Sequence, residues 1–187
     1  MPLTTLDPKT ALIVVDLQKG LVSYPTVHPL SDIIAQARDL AEAFRRRKLP
    51  VVLVNATGVA PGRSEQSRKL GDLPEGFADF VPELNQQPED HVVTKKTWGA
   101  FTGTDLAEHL KHLGVTQVVI VGVATSVGVE STARQAHEHG LNVTLAVDAM
   151  TDMNADAHAN SIARIFPKLG ETGTTQDVLE LLERTHP

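Results

Sequence analysis

The stretch VTQVVIVGVATSVGVESTAR (residues 115–134) changes period half-way along. Val115–Val121 is dominated by Val and Ile, which is the composition of a buried strand. From Ser126 the pattern becomes helical and continues to His139, where Gly140 supplies a stop. A strand that turns directly into a helix is half of a βαβ unit, and the rest of the chain repeats that alternation. ALIVVD (11–16), LPVVLVN (49–55), HVVTK (91–95), LNVTLAVDA (141–149) and KLGET (168–172) read as further strands. Helical spacing covers 31–48, with Ser31 as its cap, then 105–114, 154–166 closed by Pro167, and 175–185. Unbroken Val/Ile/Leu strands between helices predict a doubly wound α/β fold. It has a mostly parallel sheet of about six strands, covered on both faces, in a single domain over 1–187.

Composition narrows the function. The chain has 187 residues, a net charge of −6 and scattered basic residues, which argues against nucleic acid and anionic membrane surfaces as partners. No apolar run reaches the roughly 20 residues a bilayer span needs. The start, MPLTTLDPKT, lacks the charged-then-apolar pattern of an export signal, so a cytoplasmic protein is expected. There is no cysteine, which removes thiol catalysis, disulfides and cysteine–zinc sites. Neither GxGxxG nor GxxxxGK[ST] occurs, so no nucleotide cofactor is expected.

In a doubly wound sheet, ligands bind beyond the carboxyl ends of the strands. The residues there are Asp16, Asn55, Lys95, the 122–128 turn and Asp148. Asp16 ends a fully apolar strand, where a carboxylate is unfavourable unless paired, hydrogen-bonded or protonated. The plain alternative is a turn residue. Gln18 adds a second polar group at the same rim. Lys95 could pair with Asp16; Lys95-Lys96 by itself would read as solvated surface. The following Trp98 and Phe101 supply aromatic walls of the kind small-molecule pockets use, with core packing as the other reading of Phe101. Residues 56–90, rich in Gly, Pro and charge, read as a lid, on which Arg63, Arg68 and Lys69 could meet carboxylates. The histidines lack the spacing of a three-ligand metal site, and no metal is expected. Ala124-Thr125-Ser126-Val127-Gly128 also has the outline of a nucleophile elbow, with Asp148 and His158 following in Ser…Asp…His order.

Three segments together, ALIVVDLQKGL, VVTKKTWGAFTGTDLAEHL and VTQVVIVGVATSVGVESTAR, resemble the landmarks of the isochorismatase-like hydrolase superfamily in order and spacing. DAMTDMNADAH and KLGETGTTQDVLELL are similar to that family's tail. The resemblance implies that Asp16 is the catalytic aspartate and Lys95 the catalytic lysine. It implies a cis peptide at Val123–Ala124, whose turn aims backbone N–H groups into the site. Ala124, Thr125 and Gly128 then join Gln18, Asn55, Trp98 and Phe101 as expected substrate contacts. A homo-oligomer acting on a small molecule is also implied.

Gly128 stands where most members carry a nucleophilic cysteine. Glycine at that position is shared with true isochorismatases, which cleave a vinyl ether and need no nucleophilic side chain. The chain is therefore expected to be a thiol-independent hydrolase, with Asp16 as general acid. Gly128 is also expected to open room at the helix start. Thr97-Trp98-Gly99 departs from the Arg-Tyr-Ser of isochorismatases beside this lysine, and Ala124-Thr125-Ser126 resembles the cysteine-using branch instead. That leaves a binding homologue that lost catalysis with its cysteine, or a serine hydrolase through Ser126, as alternatives.

Overall fold

A computed structural model describes residues 3–65 and 73–187, and in it every residue of Thr10–Val15 (β1) is buried. Alternate side chains of that strand go to opposite faces. Leu12 and Val14 join a cluster with Ile33, Ala37, Leu40 and Phe44 of helix α1 (Leu30–Arg46) and with Val178, Leu181 and Leu182 of α6 (Thr175–Thr185). Ala11, Ile13 and Val15 join a second cluster with Leu106 and Leu110 of α2 (Leu106–His112), Ala133 and Ala136 of α3 (Glu130–Glu138) and Phe166. Each fully buried Val, Leu or Ile contributes about 1.5–3 kcal/mol, so a strand apolar on both faces is held by two cores at once.

The remaining strands are β2 (Val51–Ala56), β3 (His91–Lys95), β4 (Gln117–Val123), β5 (Asn142–Thr151) and β6 (Glu171–Gly173). They form one six-stranded sheet in the order β3-β2-β1-β4-β5-β6, and every pairing is parallel. The doubly wound α/β fold is thus present. The winding reverses between β1 and β4, which opens a crevice at their carboxyl ends. There the two strands come very close: a Cβ on Gly122, whose φ is 115°, would overlap the backbone of Val15.

Several boundaries differ from the sequence reading. Ser31 does not cap α1. The cap position is Pro29, and Ser31 Oγ instead donates to Asp32 Oδ1 at 3.3 Å. Pro167 does not end a helix. The segment runs as α4 (Ala155–Asn160), a wide turn over Ser161–Ile165, and α5 (Phe166–Leu169), where Pro167 takes a first-turn position that needs no N–H donor. Strand β5 continues two residues past Ala149, and the β4–β5 pairing shifts from Ile120↔Leu145 to Gly122↔Met150. Two steps along β4 thereby match five along β5. Among the described residues no helix is long and apolar enough to cross a membrane.

Candidate active site

Asp16 follows β1 directly and has φ 56°, a left-handed conformation that few non-glycine residues adopt. Its N–H still bonds Val54 O at 2.8 Å, so the strand ladder runs up to the residue whose backbone then turns away. Lys95 is the last residue of β3, two strands over, and is 2% exposed against 6% for Asp16. The two side chains meet, with Lys95 Nζ donating to Asp16 Oδ2 at 2.7 Å and to Thr97 O at 3.2 Å. Asp16 Oδ1 is buried with no hydrogen-bond partner among the described residues. Burial pushes the Asp16 carboxyl up to about 6, and the neighbouring Lys95 ammonium only partly offsets this. A bare Oδ1 is consistent with that balance, because an ionised carboxylate in a buried site needs both oxygens served.

Gly128 lies against this pair. A Cβ there would stand 3.1 Å from Asp16 Oδ2, 3.0 Å from Val123 O and 3.0 Å from Val15 Cγ1. The expectation that Gly128 opens room is corrected by these contacts: the direction a side chain would take is already filled. The glycine instead lets the wide turn Thr125–Val129 pack down onto Asp16. The Val123–Ala124 peptide is cis, as the family resemblance implied.

The turn is fastened from three sides. Asp152 Oδ2 accepts from Ser126 N at 2.8 Å and from Ser126 Oγ at 2.7 Å. Thr125 Oγ1 is 2.8 Å from His158 Nδ1, and burial, then His28, lowers the pKa of that imidazole while Asp152 opposes them. Thr132 Oγ1 donates to Gly128 O at 2.7 Å and accepts from Ala100 N at 3.1 Å, tying the turn to the segment after β3. These contacts dissolve the nucleophile-elbow reading. Ser126 faces a carboxylate and not an imidazole, His158 bonds Thr125, and Asp148 accepts from Thr175 N at 2.6 Å at the start of α6.

The other expected substrate contacts divide. Trp98 is 60% exposed in the loop after β3, and Ala124 is half-buried at the turn. Gln18 is fully buried and its amide is occupied by backbone: Nε2 donates to Ala56 O and Phe77 O, and Oε1 accepts from Ala56 N. It fastens the segment around Phe77 to the end of β2. Asn55 Nδ2 donates to Ala78 O at 2.9 Å, which leaves Oδ1 buried and unpartnered. Thr125 is buried, with its hydroxyl on His158. Phe101 belongs to the core, its ring 5.0 Å from that of His139 at the far end of α3. Arg63 is exposed, while Arg68 and Lys69 lie outside the described residues. Among the described residues no three His, Asp or Glu side chains are grouped to hold a metal ion. Sequence reasoning missed the roles of Thr132 and Asp152, which tie the turn to Ala100 and to the end of β5, 32 and 26 residues away along the chain.

The model of the Isochorismatase domain matches residues 10–177. The chain belongs to the isochorismatase family of hydrolases. It is 37% identical over 179 residues to the uncharacterized isochorismatase family protein YwoC of Bacillus subtilis, covering 92% of this chain and 93% of that one. It is 30% identical over 156 residues to the Secreted isochorismatase effector Isc1 of Verticillium dahliae, covering 81% and 77%. A solved isochorismatase family protein from Burkholderia thailandensis shares 42% identity and superposes with a TM-score of 0.92 over 96% of this chain and 98% of its own. The six-stranded parallel architecture is therefore that of the isochorismatase family.

Proposed function

We propose that this isochorismatase-family protein is a thiol-independent hydrolase that uses Asp16 as general acid, with Lys95 assisting, on isochorismate or a related small carboxylated vinyl ether. The observation that carries the reading is the buried Asp16–Lys95 contact of 2.7 Å directly beneath Gly128, in a chain with no cysteine. Resemblance to Isc1, whose name describes an isochorismatase, supports the same reaction class.

The reaction needs a proton delivered to carbon. Protonated Asp16 transfers its proton to the terminal methylene of the enolpyruvyl group, and the C=C electrons form that C–H bond. The ether carbon becomes an oxocarbenium ion. Water adds to it, a proton returns to the Asp16 carboxylate, and the hemiketal breaks its C–O bond to give pyruvate and the alcohol. Burial that keeps Asp16 protonated near pH 6 supports the first step. The Lys95 ammonium stabilises the carboxylate that the first step leaves behind, which lowers the barrier to giving the proton up.

Steady-state assays on isochorismate test this with wild type, Asp16→Asn and Asp16→Ala. A general acid contributes about 100- to 10,000-fold, so both variants should lose at least about 100-fold in kcat/KM while keeping a folded circular dichroism spectrum. Equal rates in wild type and variants, or no turnover in any, would overturn the isochorismate reading. Binding without turnover across a metabolite panel would favour the homologue that has lost catalysis.

A further inference from the structure

Beside the turn after β4 lies a small cavity of about 70 Å³, walled by Leu21, Tyr24, Leu30, Val123, Ala124 and Met153. Thr26 and Thr151 complete the wall, but their hydroxyls are engaged. Thr26 Oγ1 donates to His28 O at 2.8 Å, and Thr151 Oγ1 lies 3.1 Å from both His28 N and His28 Nδ1. No charged side chain lines the space. Apart from the Tyr24 phenol it offers an occupant carbon surface, and a carboxylate placed there would lose hydration without gaining a cation.

The cavity and the Asp16 site meet at one peptide unit. Val123 and Ala124 line the cavity, while Val123 O lies 3.0 Å from the Cβ position of Gly128, which is itself 3.1 Å from Asp16 Oδ2. The surroundings point the same way. Of the six large hydrophobic side chains exposed among the described residues, all except Val92 (Tyr24, Val27, Val59, Trp98 and Met153) follow the carboxyl ends of strands. Exposed apolar surface gathered at the ligand end of a sheet is what a small-molecule mouth presents. Size limits the occupant. An apolar cavity of about 150 Å³ accepts a benzene ring of six carbons, so half that volume takes about three carbon atoms.

We propose that this cavity is a specificity subsite for an uncharged branch of about three carbons, attached next to the substrate group that reacts at Asp16. It rests on the reading of Asp16 and Lys95 as the catalytic pair. A carboxylate on the substrate points away from this subsite, and the hydrocarbon part of its framework enters it.

Binding of simple probes tests the subsite without requiring turnover. Acetamide, propionamide, butyramide and pentanamide are titrated into ¹³C-methyl-labelled protein, with succinamate as a charged-tail comparator. Each added methylene should tighten binding about fourfold until the cavity is full near butyramide, after which the gain stops. Shifts should concentrate on the methyls of Leu21, Leu30 and Val123, and succinamate should bind at least about tenfold more weakly than butyramide. Leu30→Trp should fill the cavity and abolish the chain-length dependence. Met153→Trp, at an exposed position that leaves the core intact, should weaken butyramide more than acetamide. Chain-length-independent binding, equal binding of succinamate, or shifts confined to other parts of the chain would overturn the subsite. An Asp16-dependent hydrolase with that result would keep its proposed reaction and lose only this pocket assignment. Probe binding as expected with no hydrolysis of isochorismate would overturn the substrate and keep the subsite.

Discussion

Lys95 Nζ and Asp16 Oδ2 stand 2.7 Å apart with both side chains over nine-tenths buried, yet the carboxyl is held at about 6 and not below its ordinary value. Burial outweighs the ion pair. For an enzyme using Asp16 as general acid, kcat/KM should be level at low pH and fall about tenfold per unit as pH rises beyond about 6. Lys95→Met removes the group that lowers the carboxyl, so the falling limb should move to higher pH while the plateau drops. A limb that stays in place, or moves to lower pH, would show that another group governs the profile.

The same imbalance predicts a dependence of stability on pH. The native carboxyl keeps its proton up to about 6, whereas in the unfolded chain it ionises near 4, so between those values the native state binds more protons. Its stabilising contribution is complete below about 4 and is lost as pH rises through about 6, by on the order of 3 kcal/mol. Urea unfolding at half-unit pH steps should show wild type losing stability over this window relative to Asp16→Asn. Parallel curves for the two proteins would contradict the assignment.

Crowding around Gly128 sets a third expectation. In an open helical turn, Gly→Ala gains about 1 kcal/mol of helix propensity. Here the new Cβ meets a strand carbonyl, a core methyl and a carboxyl oxygen held by Lys95, all at 3.0–3.1 Å. Overpacking of that kind costs about 1–3 kcal/mol. Gly128→Ala should therefore be destabilised by about 1 kcal/mol net, lowering Tm by roughly 2–4 °C. An unchanged or higher Tm would mean that the neighbours yield.

Ser126 should be inert as a nucleophile. Its hydroxyl faces Asp152 with no imidazole at hydrogen-bond distance, so a fluorophosphonate probe should leave the protein unlabelled and Ser126→Ala should retain activity. Asp152→Ala, by contrast, frees the Ser126 N–H and should cost about 0.5–2 kcal/mol, the range for losing a helix cap. Labelling that disappears in Ser126→Ala would revive the serine route.

Asp16 and Lys95 were legible in the sequence because a charged residue after an apolar strand has one place to be in a doubly wound sheet. The parallel sheet follows from the same alternation, whereas its strand order and the reversal between β1 and β4 come from the structure. Gln18, Thr125 and Phe101 were harder. Their residue types suit a pocket, but their partners are chosen by folding: Gln18 meets backbone 38 and 59 residues away, and Thr125 meets a histidine 33 residues on. Asp152 has no local signal of its role, because β5 runs two residues beyond its apolar run and carries it to the turn after β4. Pro167 illustrates the converse: a residue that breaks helix interiors is at ease in a first turn, and only the wide turn before it reveals that a new helix starts there.

The irregular pairing between β4 and β5 gives one strand two independent offices. Before the shift, β5 is registered to β4 and β6; after it, pairing with β4 resumes at Gly122↔Met150, and Thr151 and Asp152 hold the loop after β1 and the turn beside Asp16. The three surplus residues act as slack between the two. Lengthening or shortening that slack would re-aim Thr151 and Asp152, and with them the turn beside Asp16, without re-registering the sheet that keeps the molecule folded.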